Sequence, residues 1–264
     1  MSMSQLMKFS RLSVLMSSLL LGACESSDSS SNGDGAVVTG VGGSTARMTI
    51  SGDYLYAISG SRVQLFDIST PASPLPYTQV EVDWDIQTLF PHDQYLLVGA
   101  ASGVHILDNT DPASPQYVGD FTHARALDPV VAQGEHAYVT LKRDSAIAGT
   151  DIVDQMNVLD ISDITQPRLL ETISMQGPSG LSVDGEQLYV CDGAAGLKQF
   201  SLADPASPQF TQSIPGVDCF DVIAQDQNLF VIDEFGLSQY SAASGVPILL
   251  STIDTEPVVY VVDQ

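Results

Sequence analysis

Apolar and polar residues alternate along most of this chain in short runs, which is the pattern of half-buried β-strands. The run RVQLFDIS at residues 62–69 shows this alternation, and the run DYLYAIS before it is rich in aromatic and apolar residues. Gly, Asp, Ser and Pro separate one run from the next. No segment of the folded region has a convincing helical period. The pattern therefore predicts an all-β protein.

The predicted strands recur in a fixed order around a proline turn. The hexapeptide DPASPQ occurs at residues 111–116 and again at 204–209, and the related STPASPLP occupies 69–76. Aligned on the second proline of the turn, the five units have it at Pro74, Pro115, Pro167, Pro208 and Pro247, so successive turns are 41, 52, 41 and 39 residues apart. Three predicted strands precede each turn and one follows it. The repeating unit therefore has four strands.

Four-stranded units of roughly 40–45 residues, repeated in tandem, predict a β-propeller. Five units are complete, and two strand-like pieces remain, GAVVTGVG at 35–42 and EPVVYVVDQ at 256–264. We predict five blades to which the terminal strands are added. The alternative is six blades, with the last blade shared between the two termini.

The repeat resembles a known family. The pattern D-[IV]-S-D-P-A-S-P, which follows a strand of the form V-x-V-[IL]-D, is similar to the LVIVD repeat of exported bacterial propellers, and the resemblance extends over residues 48–253. Repeats of that family commonly open the inner strand with Asp-Val, and here only Asp221-Val222 has that pair. The equivalent places in the other four units hold Arg47, Thr88, Pro129 and Gly180.

The proline turn has a structural explanation. An Asp or Ser before proline accepts backbone N–H groups, and each proline fixes φ. In a four-stranded blade the turn joins the third and fourth strands, on the outer part of one face. We therefore interpret the turns as scaffold and expect the functional surface on the opposite face.

The first 23 residues have the features of a signal peptide. Lys8 and Arg11 precede the apolar run LSVLMSSLLLGA, which is too short to span a membrane. The run ends in Leu21-Gly22-Ala23-Cys24, which resembles a bacterial lipobox, and the polar stretch ESSDSSSNGDG follows. We predict a signal peptide at 1–23, an acylated Cys24 (palmitate among its chains) with a tether at 24–35, and a propeller domain at 36–264. The alternative is ordinary cleavage beside an incidental cysteine.

These N-terminal features predict an address in the bacterial cell envelope. Two or more acyl chains anchor a protein stably to a membrane. Glu25 after the cysteine resembles the class of lipoproteins sorted to the outer membrane. We therefore expect an outer-membrane lipoprotein whose domain faces the periplasm or the cell surface.

The chain is strongly acidic, with 32 Asp and Glu against 9 Lys and Arg and a net charge of −23. This charge repels phosphate backbones and disfavours nucleic-acid binding, while basic partners and divalent cations remain compatible. The loops opposite the proline turns gather many of the acids. The strongest candidates for an acidic rim around the channel mouth are Asp83, Asp85, Asp128, Asp218, Asp221 and Asp254, and further acids on these loops are Asp120, Asp144, Asp151, Asp154, Asp192, Asp233 and Glu256. Calcium is the metal that such a rim would suit.

Export also places the cysteines in an oxidising compartment. With Cys24 acylated, Cys191 and Cys219 remain, on loops of the same face in consecutive blades. We predict a disulfide between them, with two buried free thiols as the alternative.

The sequence contains no local catalytic motif. His92, His105, His123 and His136 show no metal-binding spacing, and there is no G-x-S-x-G, phosphate loop or C-x-x-C. We therefore predict a non-enzymatic binding or scaffold protein without a cofactor, anchored to the membrane by its lipid, with a protein or extracellular partner. The partner-facing surface would be the acidic rim and the insertion at 142–155. The alternative is a metal-assisted hydrolase or lyase with carboxylates at the channel mouth.

Overall fold

The computed structural model describes residues 43–83, 85–122, 129–142 and 153–254. Several predictions lie outside these residues: the signal peptide, Cys24 and its tether, the terminal strands at 35–42 and 256–264, Asp128, and residues 143–152 of the blade-three insertion. Those predictions stay predictions. Within the described part of the chain, no helix is long and apolar enough to cross a membrane.

The described residues form five antiparallel sheets of four strands, and the five sheets form the blades of a ring. Blade one contains β1 (Met48–Ser51), β2 (Tyr54–Ser59), β3 (Arg62–Asp67) and β4 (Leu75–Glu81). Blade two contains β5 (Ile86–His92), β6 (Tyr95–Ala100), β7 (Gly103–Asp108) and β8 (Gln116–Thr122). Blade three contains β9 (Val130–Gln133), β10 (His136–Leu141), β11 (Gln155–Asp160) and β12 (Arg168–Ser174).

Blade four contains β13 (Pro178–Asp184), β14 (Gln187–Asp192), β15 (Leu197–Ser201) and β16 (Gln209–Ile214), with a single 3₁₀ turn at Gly193–Ala195. Blade five contains β17 (Cys219–Gln225), β18 (Asn228–Asp233), β19 (Gly236–Ser241) and β20 (Ile248–Asp254). Strands neighbour one another in chain order in every blade. The prediction of an all-β, five-bladed propeller is therefore confirmed. Each blade obtains its four strands from its own segment.

The hydrophobic cores lie between consecutive blades. Tyr56 and Leu65 of blade one pack with Leu96 of blade two, and Val158 of blade three packs with Leu188 of blade four. These side chains have less than 2% of their surface exposed. The middle strands β6 and β14 are buried at nearly every position. Successive side chains of a strand point to opposite faces, so these continuous apolar runs supply both sides of the sheet, and a blade inside a ring has a neighbour on each side. The sequence pattern thus translates directly into blade-to-blade packing.

Every blade has a register shift between its third and fourth strands. The shifts fall at Gln64/Phe66, Ile106/Leu107, Val158/Leu159, Gln199/Phe200 and Gln239/Tyr240. A bulge increases the local right-handed twist of a strand pair. The recurring bulge therefore twists the outer strand of each blade relative to the inner strands.

The two identical hexapeptides are turns with the expected capping. Asp111 Oδ1 accepts the N–H of Ala113 at 3.1 Å, and Asp204 Oδ1 accepts the N–H of Ala206 at 3.1 Å. The turn also contacts the preceding blade: the Tyr56 hydroxyl donates to the Pro112 carbonyl at 2.6 Å. In the same way the Tyr138 hydroxyl donates to the Pro205 carbonyl at 3.0 Å. The predicted capping of these turns is confirmed, and the turn additionally links neighbouring blades.

Candidate functional site

The segment before β1 lies in the channel, opposite the proline turns. Ser44 is fully buried and accepts the N–H of Leu181 in blade four at 2.7 Å. Its hydroxyl also lies 3.2 Å from Asp221 Oδ1 in blade five. Two residues later, the Ala46 carbonyl accepts the N–H of Leu89 in blade two at 2.8 Å. This short segment therefore contacts the innermost strands of three blades.

Asp221 lies where the channel segment meets blade five. A side chain at Gly180 would place its Cβ 2.0 Å from Asp221 Oδ1, and one at Gly43 would place it 2.2 Å from Oδ2. At position 180 the backbone Cα of Asp221 would also be only 2.6 Å from the Cβ, so glycine is required there, whereas a Cβ at position 43 would displace the carboxylate. Thr45 Oγ1 donates to Oδ2 at 2.5 Å, and the N–H of Val222 donates to Oδ1 at 2.9 Å. Burial raises the pKa of Asp221, because it penalises the charged form more than these hydrogen bonds favour it.

A pocket of about 290 Å³ opens at this mouth of the channel. Its wall comes from the starts of inner strands, from the channel segment and from the residue after β10. The lining residues are Thr45, Arg47, Gln87, Thr88, Pro129, Lys142, Pro178 and Ser179. Four blades contribute to this set, so the pocket exists only in the assembled ring.

The charge of this lining is opposite to that of the chain. Among the described residues, no carboxylate belongs to the lining, whereas both Arg47 and Lys142 do. The described residues contain five cationic side chains, and three of them form ion pairs: Arg62–Glu81, Arg168–Asp160 and Lys198–Asp192. The remaining two are the pocket cations, which form no ion pair with a carboxylate in the described part of the chain.

The carboxylates of the predicted acidic rim have different surroundings. Asp221 is largely buried behind Thr45, while Asp85, Asp218 and Asp254 are exposed. Asp254 is the last residue of the outermost strand of blade five. Across the described ranges, no three His, Cys, Asp or Glu side chains come together in a way that could hold a metal ion. The rim as a calcium site stays a prediction.

Asp83 belongs to a cluster that resembles a Ser-His-Asp triad in composition but not in geometry. His105 Nε2 lies 3.1 Å from Asp83 Oδ2 and 3.2 Å from Ser102 Oγ, and Ser102 also donates directly to Asp83. A triad requires the acid on one ring nitrogen and the serine on the other. Here both partners share Nε2, and buried Nδ1 has no hydrogen-bond partner in the described part of the chain. This arrangement does not position His105 as a base for Ser102.

The predicted disulfide between Cys191 and Cys219 is present, with Cα atoms 5.4 Å apart. Beside it, Asp192 is completely buried, and its Oδ2 lies 2.5 Å from Lys198 Nζ. Its Oδ1 accepts the N–H groups of Gln176 at 2.7 Å and Gly177 at 2.9 Å. These bonds fix the loop that leads into Pro178 and Ser179 of the pocket. Asp192 is therefore a structural residue of this face.

Neither Arg47 nor Lys142 is identified as a site residue by the sequence alone. In the sequence, Arg47 is notable only because it stands where repeats of the LVIVD family commonly have an inner-strand aspartate. Lys142 is notable only because the blade-three insertion begins there. One signal was available: a chain with so few cations has one at an inner-strand position that commonly holds an acid in the family. Arg47 and Lys142 are 95 positions apart in the sequence, and only the folded ring brings both of them to one pocket.

The comparisons agree with this fold. The LVIVD repeat family matches residues 42–80, which include nearly all of blade one. A functionally unknown protein from Desulfotomaculum acetoxidans is similar with a TM-score of 0.62 and 10% identity, over 79% of this chain and 69% of that one. A Lactobacillus plantarum protein has a TM-score of 0.60 and 14% identity, over 79% and 74%.

The periplasmic gluconolactonase of Pseudomonas aeruginosa has a TM-score of 0.56 and 17% identity, over 77% of this chain and 68% of that one. At such identities these structures support the fold alone. No curated protein matches the sequence significantly.

Proposed function

From the premise that this chain is an LVIVD-repeat β-propeller, we propose that it is a lipid-anchored binding protein of the bacterial cell envelope. It binds its ligand at the channel-mouth face, defined here as the face that carries the pocket and the disulfide. The observation that supports this function is the pocket itself. Side chains from four blades line it, and its cations have no acidic partner among the described residues.

The opposite face supports binding much less well. There the acids of the identical proline turns are bonded within their own turn, and a proline carbonyl of each turn is bonded to a neighbouring blade. A surface with satisfied polar groups offers few new hydrogen bonds to a ligand. In the pocket, in contrast, Arg47 and Lys142 carry charge and have no carboxylate partner among the described residues.

The lipid anchor is supported by the sequence at Cys24. Metabolic labelling with a clickable palmitate analogue, followed by fractionation, tests it directly. We expect label and outer-membrane recovery for the wild type, and loss of both in Cys24→Ser. Unlabelled wild-type protein that is recovered in the soluble periplasm would contradict the anchor.

Hydrogen–deuterium exchange of the Cys24→Ser protein tests the binding face even while the ligand is unidentified. With a soluble envelope extract present, we expect slower exchange in the peptides that contain residues 86–88 and 178–180, which begin two inner strands at the pocket. The turns at 111–116 and 204–209 serve as internal controls and should not change. Protection confined to the turns, or no protection anywhere, would contradict the proposed function.

A further inference from the structure

We propose that the channel-mouth pocket binds a small polyhydroxylated carboxylate, the chemistry of a sugar acid. The inference rests on the proposed function, since it takes the pocket as the ligand site. Its support comes from three properties of the pocket: the charge, the direction of its hydroxyl groups, and its size.

The charge selects an anion. Arg47 and Lys142 are exposed side chains in one pocket and have no ion-pair partner among the described residues. The planar guanidinium of an arginine binds both oxygens of a carboxylate, and a lysine adds a point charge. The net charge of −23 repels anions at a distance, but salt screens this repulsion over about 8 Å at physiological ionic strength. Contact with the two cations therefore determines which ligand stays bound.

The hydroxyl groups select the rest of the ligand. Thr45 donates its hydroxyl hydrogen to Asp221 at 2.5 Å, and Ser179 donates its own to the Cys219 carbonyl at 3.2 Å. Because both hydrogens are committed, these oxygens present lone pairs to the pocket. These oxygens act as hydrogen-bond acceptors, and a ligand with several O–H groups supplies the matching donors. Inorganic phosphate near neutral pH retains only one or two O–H groups and has no apolar face, and acetate has no O–H group at all.

The size and the apolar part of the wall are also suitable. A volume of about 290 Å³ is at the small end of the range for small-molecule sites. Pro129 and Pro178 are buried apolar residues of the same wall, against which the C–H face of a sugar ring can pack. One carboxylate on a single sugar-sized ring satisfies all three properties.

Isothermal titration of the Cys24→Ser protein with four probes tests the assignment. Glucuronate has charge and hydroxyls, glucose has hydroxyls only, acetate has charge only, and inorganic phosphate is a rival anion. We expect glucuronate to bind at least about tenfold more tightly than each of the other three, because only glucuronate combines charge-assisted hydrogen bonds to the two cations with several hydroxyl donors. Equal binding of glucose would overturn the charge argument. Equal binding of phosphate or acetate would overturn the hydroxyl argument.

Variants locate the binding. Arg47→Gln and Lys142→Gln should each weaken glucuronate binding about tenfold, and Arg47→Lys should recover part of the loss. Arg62→Gln is the matched control, since Arg62 lies in the same blade, pairs with Glu81 and does not line the pocket. Unchanged affinity in both pocket variants would overturn the proposal. Thermal unfolding of each variant checks that the fold is intact.

The two proposals fail in different ways. If no probe binds but the envelope extract still protects residues 86–88 and 178–180 from exchange, the ligand class is wrong and the binding function stands. If glucuronate binds and oligouronates bind more tightly, the natural source of the carboxylate is a glycan. If only the monomer binds, the source is a free sugar acid. Both of these results support the proposal.

Discussion

The acids on the two faces of the propeller differ in how far away in the sequence their bonded partners lie. On the proline-turn face, Asp111 and Asp204 accept N–H groups only two residues ahead. On the channel-mouth face, Ser44 bonds to Asp221, 177 positions away, and its oxygen accepts the N–H of Leu181, 137 positions away. The first set of bonds forms in any isolated repeat. The second set forms only when the ring closes.

This difference explains which face repeats. The acid of the proline turn is bonded locally, and the bond to the preceding blade uses only a backbone carbonyl. Such a turn can be copied from blade to blade, and two copies here are identical in six residues. A side chain that meets a partner from another blade depends on that partner. Gly180, for example, is required by Asp221 of the next blade. The channel-mouth face therefore varies from blade to blade, which is what a single binding site requires.

The largest expected effect comes from replacing one acid on each face by alanine. In Asp192→Ala, a buried charge is lost while Lys198 and two backbone N–H groups lose their partner, so we expect a loss of about 3–5 kcal/mol in the free energy of unfolding. Asp204→Ala, on the exposed turn, should cost less than about 1 kcal/mol. Urea denaturation measures both variants. Similar losses would mean that the two faces do not differ in the way described.

The disulfide provides the second test. Replacing Cys191 and Cys219 together by alanine should lower the free energy of unfolding by about 3 kcal/mol, because the bond closes a loop between residues 28 positions apart. Reducing agent should destabilise the wild type by a similar amount and leave the double variant unchanged. A wild type that is insensitive to reduction would contradict the covalent link between blades four and five.

The tyrosines that link neighbouring blades at the turns provide the third test. Tyr56→Phe and Tyr138→Phe should each lower the free energy of unfolding by about 1 kcal/mol, because each removes one hydrogen-bonding hydroxyl. The two losses should add, because they lie in different pairs of blades. Tyr189→Phe is the matched control, because Tyr189 has the same place in β14 and its hydroxyl bonds to no described residue. An equal loss of unfolding free energy in all three variants would show that the hydrogen bonds to the turn carbonyls do not stabilise the ring.

The same tyrosines predict a dependence on alkaline pH. Burial raises the pKa of both Tyr56 and Tyr138 to about 12. The unfolded chain ionises first, near the ordinary value of 10.0, so stability is complete below pH 10 and is lost as the pH rises towards 12. The double phenylalanine variant should lose less stability over this interval, as followed by urea denaturation at each pH.

The smallest expected effect concerns Asp221, whose pKa is raised by burial. A raised carboxyl pKa contributes stability below the ordinary value of 3.8, which is lost as the pH rises through the folded-state pKa. Relative to the wild type, Asp221→Asn should therefore gain stability as the pH increases above 3.8. Asp218→Asn, at an exposed site nearby in the sequence, serves as control. A difference that is independent of pH would contradict the burial of a charged group at the channel.

Much of the architecture was predictable because it is local. Alternation identified the strands, and the spacing of prolines such as Pro115 and Pro208 identified the blades. The disulfide was predictable because the chain has three cysteines, and only Cys191 and Cys219 remain once Cys24 is assigned to acylation. The acids on the loops were visible too, but their surroundings were not: Asp192 is a buried structural residue, and Asp221 fills space between two glycines.

The sequence by itself therefore determined the repeat, the strands, the turns and the pairing of cysteines, because each depends on residues that are near in the chain or few in number. Only the tertiary structure decided which of the described cations lack a carboxylate partner and where they meet. Arg47 and Lys142 belong to blades one and three, and closing the ring brings them to one pocket. Charge composition predicts an acidic protein, but the folded arrangement places two cations at its channel mouth.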